Sequence, residues 1–339
     1  MLLDEFDYDL PRSLIAQKPA NPKSSSKLLL ADKNMIINFK ELVNYIDENV
    51  LLIFNDTKVI PAILQGKVRS SNIKITLHSK NDEGFWSAFA KPARKAKKND
   101  IIFFGKKLSA EIYEKDKSQI KIKFNFSEKQ LRKYLIRHGS LPVPPYIKKN
   151  ENSLQVEKNY QTIFAKKLGA FACPTAGLHF DERLLKNLKK KKINTAKVTL
   201  HVGAGTFLPL ANKEINKNIL HKETGIISKL QAKKIATSIK EGKKIIAVGT
   251  TVLRLLEACH HKYGNIVEFN EDINLFIRPG FSFNIVDKLI TNFHLPKSSL
   301  LLLVSAFAGK ENIFRYYEKA IKNNMRFYSY GDAILLERK

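Results

Sequence analysis

The hydrophobic period of this chain changes along its length, and that change limits the folds open to it. Between Lys67 and Phe126 the apolar residues fall into short runs: Lys67 to Arg69, Ile73 to His78, Phe85 to Ala90, Ile101 to Phe104 and Leu108 to Tyr113. The clearest run is the last, in which Ile120, Ile122, Phe124 and Phe126 alternate with Lys121, Lys123 and Asn125. Successive side chains of a strand point to opposite faces, so such a segment offers one face to a core and one to water. Several in succession predict a small β-barrel.

The flanking sequence follows a different rule. Leu51 to Phe54 is wholly apolar and ends in Asn55-Asp-Thr-Lys-Val-Ile-Pro61, which reads as a buried strand leaving a core and entering a turn, with a boundary near Gly66. Ser127 caps a helix predicted to run to about His138 with Gly139 as its stop. The proline-rich stretch from Leu141 to Tyr146 is a stiff extended connector. Beyond it the units lengthen. Asp181 caps a helix whose last turn carries Lys189 to Lys192, matching the helix dipole at both ends. A strand over Thr195 to Val202 sets Ala196, Val198, Leu200 and Val202 on one face and Lys197, Thr199 and His201 on the other. Ser228 caps the next helix and Gly242 stops it, and the strand from Ile245 to Gly249 runs straight into a helix opened by Thr250 and Thr251. This part is α/β, and no internal repeat is present.

A chain of 339 residues accommodates two domains. Cys173 and Cys259, its only cysteines, lie far apart and without any C-x-x-C spacing, so neither a disulfide framework nor a zinc site is suggested, which fits a reducing compartment. The acidic N-terminus is unlike an export signal, and Leu300 to Ala308 is too short to span a bilayer, so the expectation is a cytoplasmic protein with a buried helix there. The formal net charge of +27 favours a polyanionic partner. Eleven arginines stand against 48 lysines, however, and lysine is the less suited of the two to bidentate phosphate contacts, so compositional drift competes with function as the explanation.

Polar groups recur at expected strand ends. Pro174 to Phe180 puts Thr175, Gly177 and His179 just before a capped helix, where a hydroxyl, backbone amides and an imidazole can meet one ligand; the competing reading is a turn with an incidental histidine. His201 to Phe207 contains Gly203, Gly205 and Thr206, and its glycines admit close backbone approach, although a third glycine and an acidic ribose partner are missing for a dinucleotide site. Gly249, Thr250 and Thr251 form a candidate anion cradle, with helix capping the expected job of one threonine. Arg254 and Glu257, one turn apart, could pair with each other. Asn292 and His294 are polar groups between two apolar segments, while His221 has little local context. The pattern points to a ligand site at the mouth of an α/β sheet.

Together these strings resemble the S-adenosylmethionine:tRNA ribosyltransferase-isomerase family. The resemblance spans nearly the whole chain, through Asp9 to Ala16, Phe54 to Pro61, Leu141 to Ile147, Pro174 to Phe180, His201 to Phe207, Thr291 to Pro296 and Arg326 to Asp332. Three departures accompany it. Val252 stands where the family usually has serine, Cys173 stands where a plain small residue is tolerated, and Lys67 to Lys133 matches in pattern more than in identity.

The resemblance implies an α/β main domain over 1–65 and 150–339, with a small antiparallel β-barrel domain and its connector inserted over 66–149. It implies transfer and isomerisation of the ribosyl group of S-adenosylmethionine onto 7-aminomethyl-7-deazaguanine at the tRNA wobble position, giving epoxyqueuosine-tRNA, adenine and methionine. Expected partners are S-adenosylmethionine as cosubstrate and a tRNA with a GUN anticodon, with no metal or redox cofactor, no membrane and a monomeric protein. The chemistry needs a base for the proton beside the sulfonium, a proton donor for departing adenine and a neutral attacking amine, which makes His201, His179 and His294 the acid–base candidates. Thr175, Thr250 and Thr251 are candidates for orienting ribose hydroxyls or the methionine carboxylate, with Gly177, Gly203, Gly205, Thr206 and Asn292 completing the expected substrate site. Two rival readings are an S-adenosylmethionine-dependent RNA methyltransferase, whose glycine-rich loop and acidic ribose partner are not visible, and a non-catalytic RNA-binding module, which leaves the strand-end motifs without a purpose.

Overall fold

The computed structural model describes residues 1–81, 83–144, 146–147, 153–203, 210 and 212–339. Among them the N-terminal part supplies strands β1 (Lys27–Leu30), β2 (Met35–Asn38), β3 (Val50–Asn55) and β4 (Thr57–Val59). Strands β5 (Ile63–Val68), β6 (Ser71–Lys80), β7 (Trp86–Lys91), β8 (Ile101–Phe104), β9 (Leu108–Asp116) and β10 (Gln119–Phe124) follow, then helices α1 (Glu128–His138) and α2 (Ser153–Asn159). The remainder alternates: β11 (Lys167–Ala170), α3 (Glu182–Lys190), β12 (Asn194–Leu200), β13 (Glu223–Ile227), α4 (Lys229–Lys240), β14 (Lys244–Val248), α5 (Thr250–Tyr263), β15 (Phe269–Ile273), β16 (Lys288–Asn292), α6 (Ser299–Ala308), α7 (Lys310–Lys322) and β17 (Ala333–Glu337).

Strands β5 to β10 close into a barrel in the order β10-β7-β6-β5-β8-β9, every neighbouring pair antiparallel. The alternation that predicted it fills its interior: Ile73, Ile75, Leu77, Ile102, Phe104, Ile120 and Ile122 are buried together. Helix α1 plugs this core with Leu131 and Leu135, and Ser127 caps it by accepting the Gln130 amide. Gly139 ends α1 in extended geometry, not the left-handed turn usual for a stop glycine. Glycine is needed there because a Cβ would lie 2.0 Å from the Pro61 carbonyl oxygen. Gly66 lies inside β5, where a Cβ would meet the Phe103 carbonyl at 2.8 Å.

The second unit is a nine-stranded mixed sheet in the order β15-β13-β12-β3-β14-β16-β17-β1-β2. Its centre, β12-β3-β14-β16, is parallel, and antiparallel pairings extend it on both sides. The apolar run of β3 is buried on both faces, as parallel central strands require. Leu51 and Ile53 join the core formed with α4, α5, α6 and α7, whereas Val50, Leu52 and Phe54 join that formed with α3. The apolar stretch from Leu300 is helix α6, buried in the first of these cores. The chain after β3 continues as β4, pairing with β11 beside the barrel, where the sequence suggested a turn. No helix among the described residues is long and apolar enough to cross a membrane.

Candidate active site

Parallel strands deliver their C-terminal ends to one edge of a sheet, and here those ends are polar. Asn55 at the end of β3 joins three elements. Its amide donates to the Leu200 carbonyl at 3.0 Å and to Thr251 Oγ1 at 3.2 Å, and its Oδ1 accepts the Leu200 and Thr57 amides, both at 3.1 Å. Asp56 accepts from Thr199 Oγ1 at 2.6 Å, so Thr199 is buried, although strand alternation assigned it to a polar face. Asn55, Asp56 and Thr57 read from the sequence as a turn and as part of a motif of the resemblance, with no place among the site residues. Their signal was three consecutive polar residues at the mouth of a wholly apolar strand.

The ends of β14 and β16 border a cavity of about 300 Å³ that gathers Thr175, Thr250, Thr251, Asn292 and His294. Gly249 occupies the N-cap of α5 with φ +97°, a conformation that glycine adopts without a Cβ clash, so neither threonine caps the helix as expected. Both instead sit in its first turn, facing the cavity. Thr175 Oγ1 donates to Asn292 Oδ1 at 2.9 Å, and the Asn292 amide donates to the Tyr328 carbonyl and to His179 Nε2, each at 3.1 Å. His179 is buried behind Asn292, with Nδ1 2.7 Å from Ser26 Oγ and its ring stacked on Phe39. It lines neither this cavity nor the larger one below. Burial lowers its pKa to about 4, so the ring is neutral near pH 7 and can accept from Asn292. His294 contacts Thr291 Oγ1 at 3.0 Å, and burial lowers its pKa to about 3.

His201, one residue beyond β12, faces a second cavity of about 630 Å³ between the barrel and the sheet. Its Nδ1 lies 2.8 Å from Thr57 Oγ1, and a Cβ on Gly169 would come within 2.6 Å of its ring, so these two residues fix where the imidazole stands. Desolvation is the largest cause lowering its pKa, with the Lys167 charge acting in the same direction. Gly203 borders the same cavity, and Glu223 accepts its amide at 2.8 Å.

Arg254 and Glu257 do not pair with each other. The Arg254 guanidinium bonds to Glu223, while Glu257 accepts the backbone amides of Asn284, Ile285 and Val286 at 3.0 to 3.1 Å. Both face inward on a helix packed against the sheet, where nearer partners compete for them. Gly177 packs against Thr162, 3.0 Å from where its Cβ would stand, and lines neither cavity. Gly205 and Thr206 lie outside the described residues. Cys173 borders the smaller cavity, but burial raises its pKa to about 12, which keeps the thiol protonated and unreactive. Among the described residues no three His, Cys, Asp or Glu side chains gather as a metal site.

Residues 3–336 match the family model described as queuosine biosynthesis protein. The chain belongs to the queuosine biosynthesis protein family. Within it, S-adenosylmethionine:tRNA ribosyltransferase-isomerases from Rhodospirillum rubrum and Rickettsia bellii are each 42% identical to this chain. The first alignment covers 99% of this chain and 98% of the relative, and the second covers all of both. The crystal structure of S-adenosylmethionine tRNA ribosyltransferase from Thermotoga maritima is similar with a TM-score of 0.55 and 33% identity, over 98% of this chain and 99% of that one. These queuosine-family names denote transferases of ribosyl groups, and neither the methyltransferase reading nor the RNA-binding-module reading of the sequence matches them.

Proposed function

We propose that the protein transfers and isomerises the ribosyl group of S-adenosylmethionine onto 7-aminomethyl-7-deazaguanine at the wobble position of tRNA, releasing adenine and methionine and leaving epoxyqueuosine. The full-length identity to enzymes named for this activity carries the reading. The site's parts suit the chemistry. Thr250 and Thr251 lie at the N-terminus of α5, where a helix favours a carboxylate such as that of the methionine moiety. Thr175 and Asn292 can exchange their mutual hydrogen bond for bonds to ribose hydroxyls. His179 is a positioning residue in this reading, since it reaches the cavity only through Asn292.

Of the three candidate histidines, His201 and His294 each face a cavity and are the ones placed to move protons. The base must take the proton from the carbon beside the sulfonium, whose positive charge acidifies it. The bond to adenine breaks with its electron pair on nitrogen, which takes up the proton the histidine removed. The neutral amine bonds to the sugar and gives up a proton, and the C–S bond breaks with its pair on sulfur, so methionine leaves as a thioether. His201 is placed first as base because it adjoins Gly203 on a cavity wall, where substrate can come close to the backbone beside the imidazole. Gly203, with Gly205 and Thr206 beyond it, is assigned to close substrate approach, whereas Gly177, which lines neither cavity, is left to packing against Thr162. The reading also includes a cytoplasmic monomer without a metal or redox cofactor, a tRNA with a GUN anticodon, a main domain over 1–65 and 150–339, and an inserted domain over 66–149.

The test is product analysis with S-adenosylmethionine and precursor-bearing tRNA, without added metal. Free adenine and methionine are expected. S-adenosylhomocysteine, or activity lost in chelator and restored by zinc, would overturn the reading.

A further inference from the structure

We infer that the larger cavity, between the barrel and the sheet, receives the nucleobase of the RNA substrate, stacked at Trp86 and met at its edge by His78. The inference rests on the ribosyl-transfer reading for the identity of the RNA, and it assigns a site on the barrel that the motifs above do not reach. The cavity is walled from both units: His78, Trp86 and Arg132 on the barrel side, Phe171, His201 and Gly203 on the sheet side. Its volume of about 630 Å³ is ample for a nucleotide, whereas the cavity of about 300 Å³ already holds the threonines and asparagine suited to ribose and carboxylate.

His78 is the most telling group. Its ring packs on Phe89 with centroids 4.6 Å apart, and Nδ1 lies 3.1 Å from Ser79 Oγ. Nε2 is shielded from solvent and has no hydrogen-bond partner among the described residues. A buried polar atom left unpaired is costly, and since His78 stands on the cavity wall, a turn of its ring toward the cavity would let a ligand there pair with Nε2. Desolvation lowers the ring's pKa to about 4, which leaves it neutral, able to meet the hydrogen-bonding edge of an uncharged heterocycle.

Trp86 supplies the stacking face that every base can use, and it stands edge-on to Phe171 at 6.5 Å. Lys80 and Arg132 both pair with Glu128 at 2.7 and 3.3 Å, holding cations on the cavity lining where a phosphate backbone would pass. His201 lines the same cavity, so a base held here lies beside the imidazole that the reading above employs as base.

A nucleobase could come from the RNA or from the adenine of S-adenosylmethionine, and the chain carries its own reporter. Trp86 is its single tryptophan. Its fluorescence would be followed while the full-length protein is titrated with an anticodon stem-loop bearing the modified base, with the same stem-loop abasic at that position, and with S-adenosylmethionine alone. Saturable quenching by the base-bearing RNA only is expected, with His78→Ala weakening that binding about tenfold or more while the KM for S-adenosylmethionine is unchanged. Equal quenching by abasic RNA, or quenching by S-adenosylmethionine alone, would overturn the assignment. Adenine release is scored separately: a parent protein that quenches but releases none discards the reaction and keeps the pocket. One that releases adenine without base-dependent quenching discards the pocket and keeps the reaction.

Discussion

Burial sets the protonation state of the histidines, and through it what each can do. His179, His201 and His294 all have pKa values below the ordinary histidine value, with desolvation the first cause in each. Each is therefore neutral at pH 7 and competent to accept a proton, but only His201 and His294 meet a cavity. His201 is half-buried, one residue beyond the end of β12, and tethered through Thr57. His201→Ala is accordingly expected to cut turnover by on the order of a hundredfold to ten-thousandfold while moving the thermal melt little. Because its folded pKa lies below 6.5, the parent's kcat/KM should fall only as pH drops below that value, and this acid limb should be absent in the variant. Single-turnover adenine release across pH, beside a melt, checks both. An unfolded variant or one of normal activity would shift the base to His294.

At the scale of elements, the site depends on ties between strand ends and helix starts. Glu223, the first residue of β13, accepts the Gly203 amide with one oxygen and the Arg254 guanidinium of α5 with the other. Both side chains are almost fully buried, at 4% and 7% exposure. Removing one charge from such a pair strands the other, at a cost of about 3 to 5 kcal/mol. Glu223→Gln keeps an acceptor for Gly203 but not the charge, so it should lose about that much unfolding free energy. Adding Arg254→Met should recover part of it, because the second change removes the stranded cation. Denaturant melts of the single and double variants decide the matter, and a neutral Glu223→Gln would show that the pair is not what joins α5 to β13.

For the whole molecule, 59 basic residues against 32 acidic ones leave a surplus that internal ion pairing cannot neutralise. The visible pairs are mostly exposed, such as Lys217 with Glu214 and Lys322 with Glu318, and contribute little to stability. The surplus is available to phosphates instead. Affinity for tRNA is expected to fall by on the order of a hundredfold between roughly 50 and 200 mM salt, since each phosphate contact releases condensed counterions. Filter binding over a salt series measures the slope. A flat response would mean that the lysines are compositional drift and that recognition rests on the cavities alone.

Period and caps are local properties, so the sequence by itself determined the barrel strands, the helix from Ser127, the buried β3 run and the helical fate of the stretch from Leu300. The family resemblance likewise needed only the order of its motifs. Side-chain pairing across distant strands is not local, and only the tertiary structure decided it. It joined Asn55 to Leu200 and Thr251, sent Arg254 to Glu223 in place of Glu257, and set His179 behind Asn292. The division of the candidate residues between two cavities was equally hidden, as was the part of His78. Nothing in the neighbourhood of a residue says which strand end will face it once parallel strands bring their C-terminal ends to one edge and a barrel closes beside them.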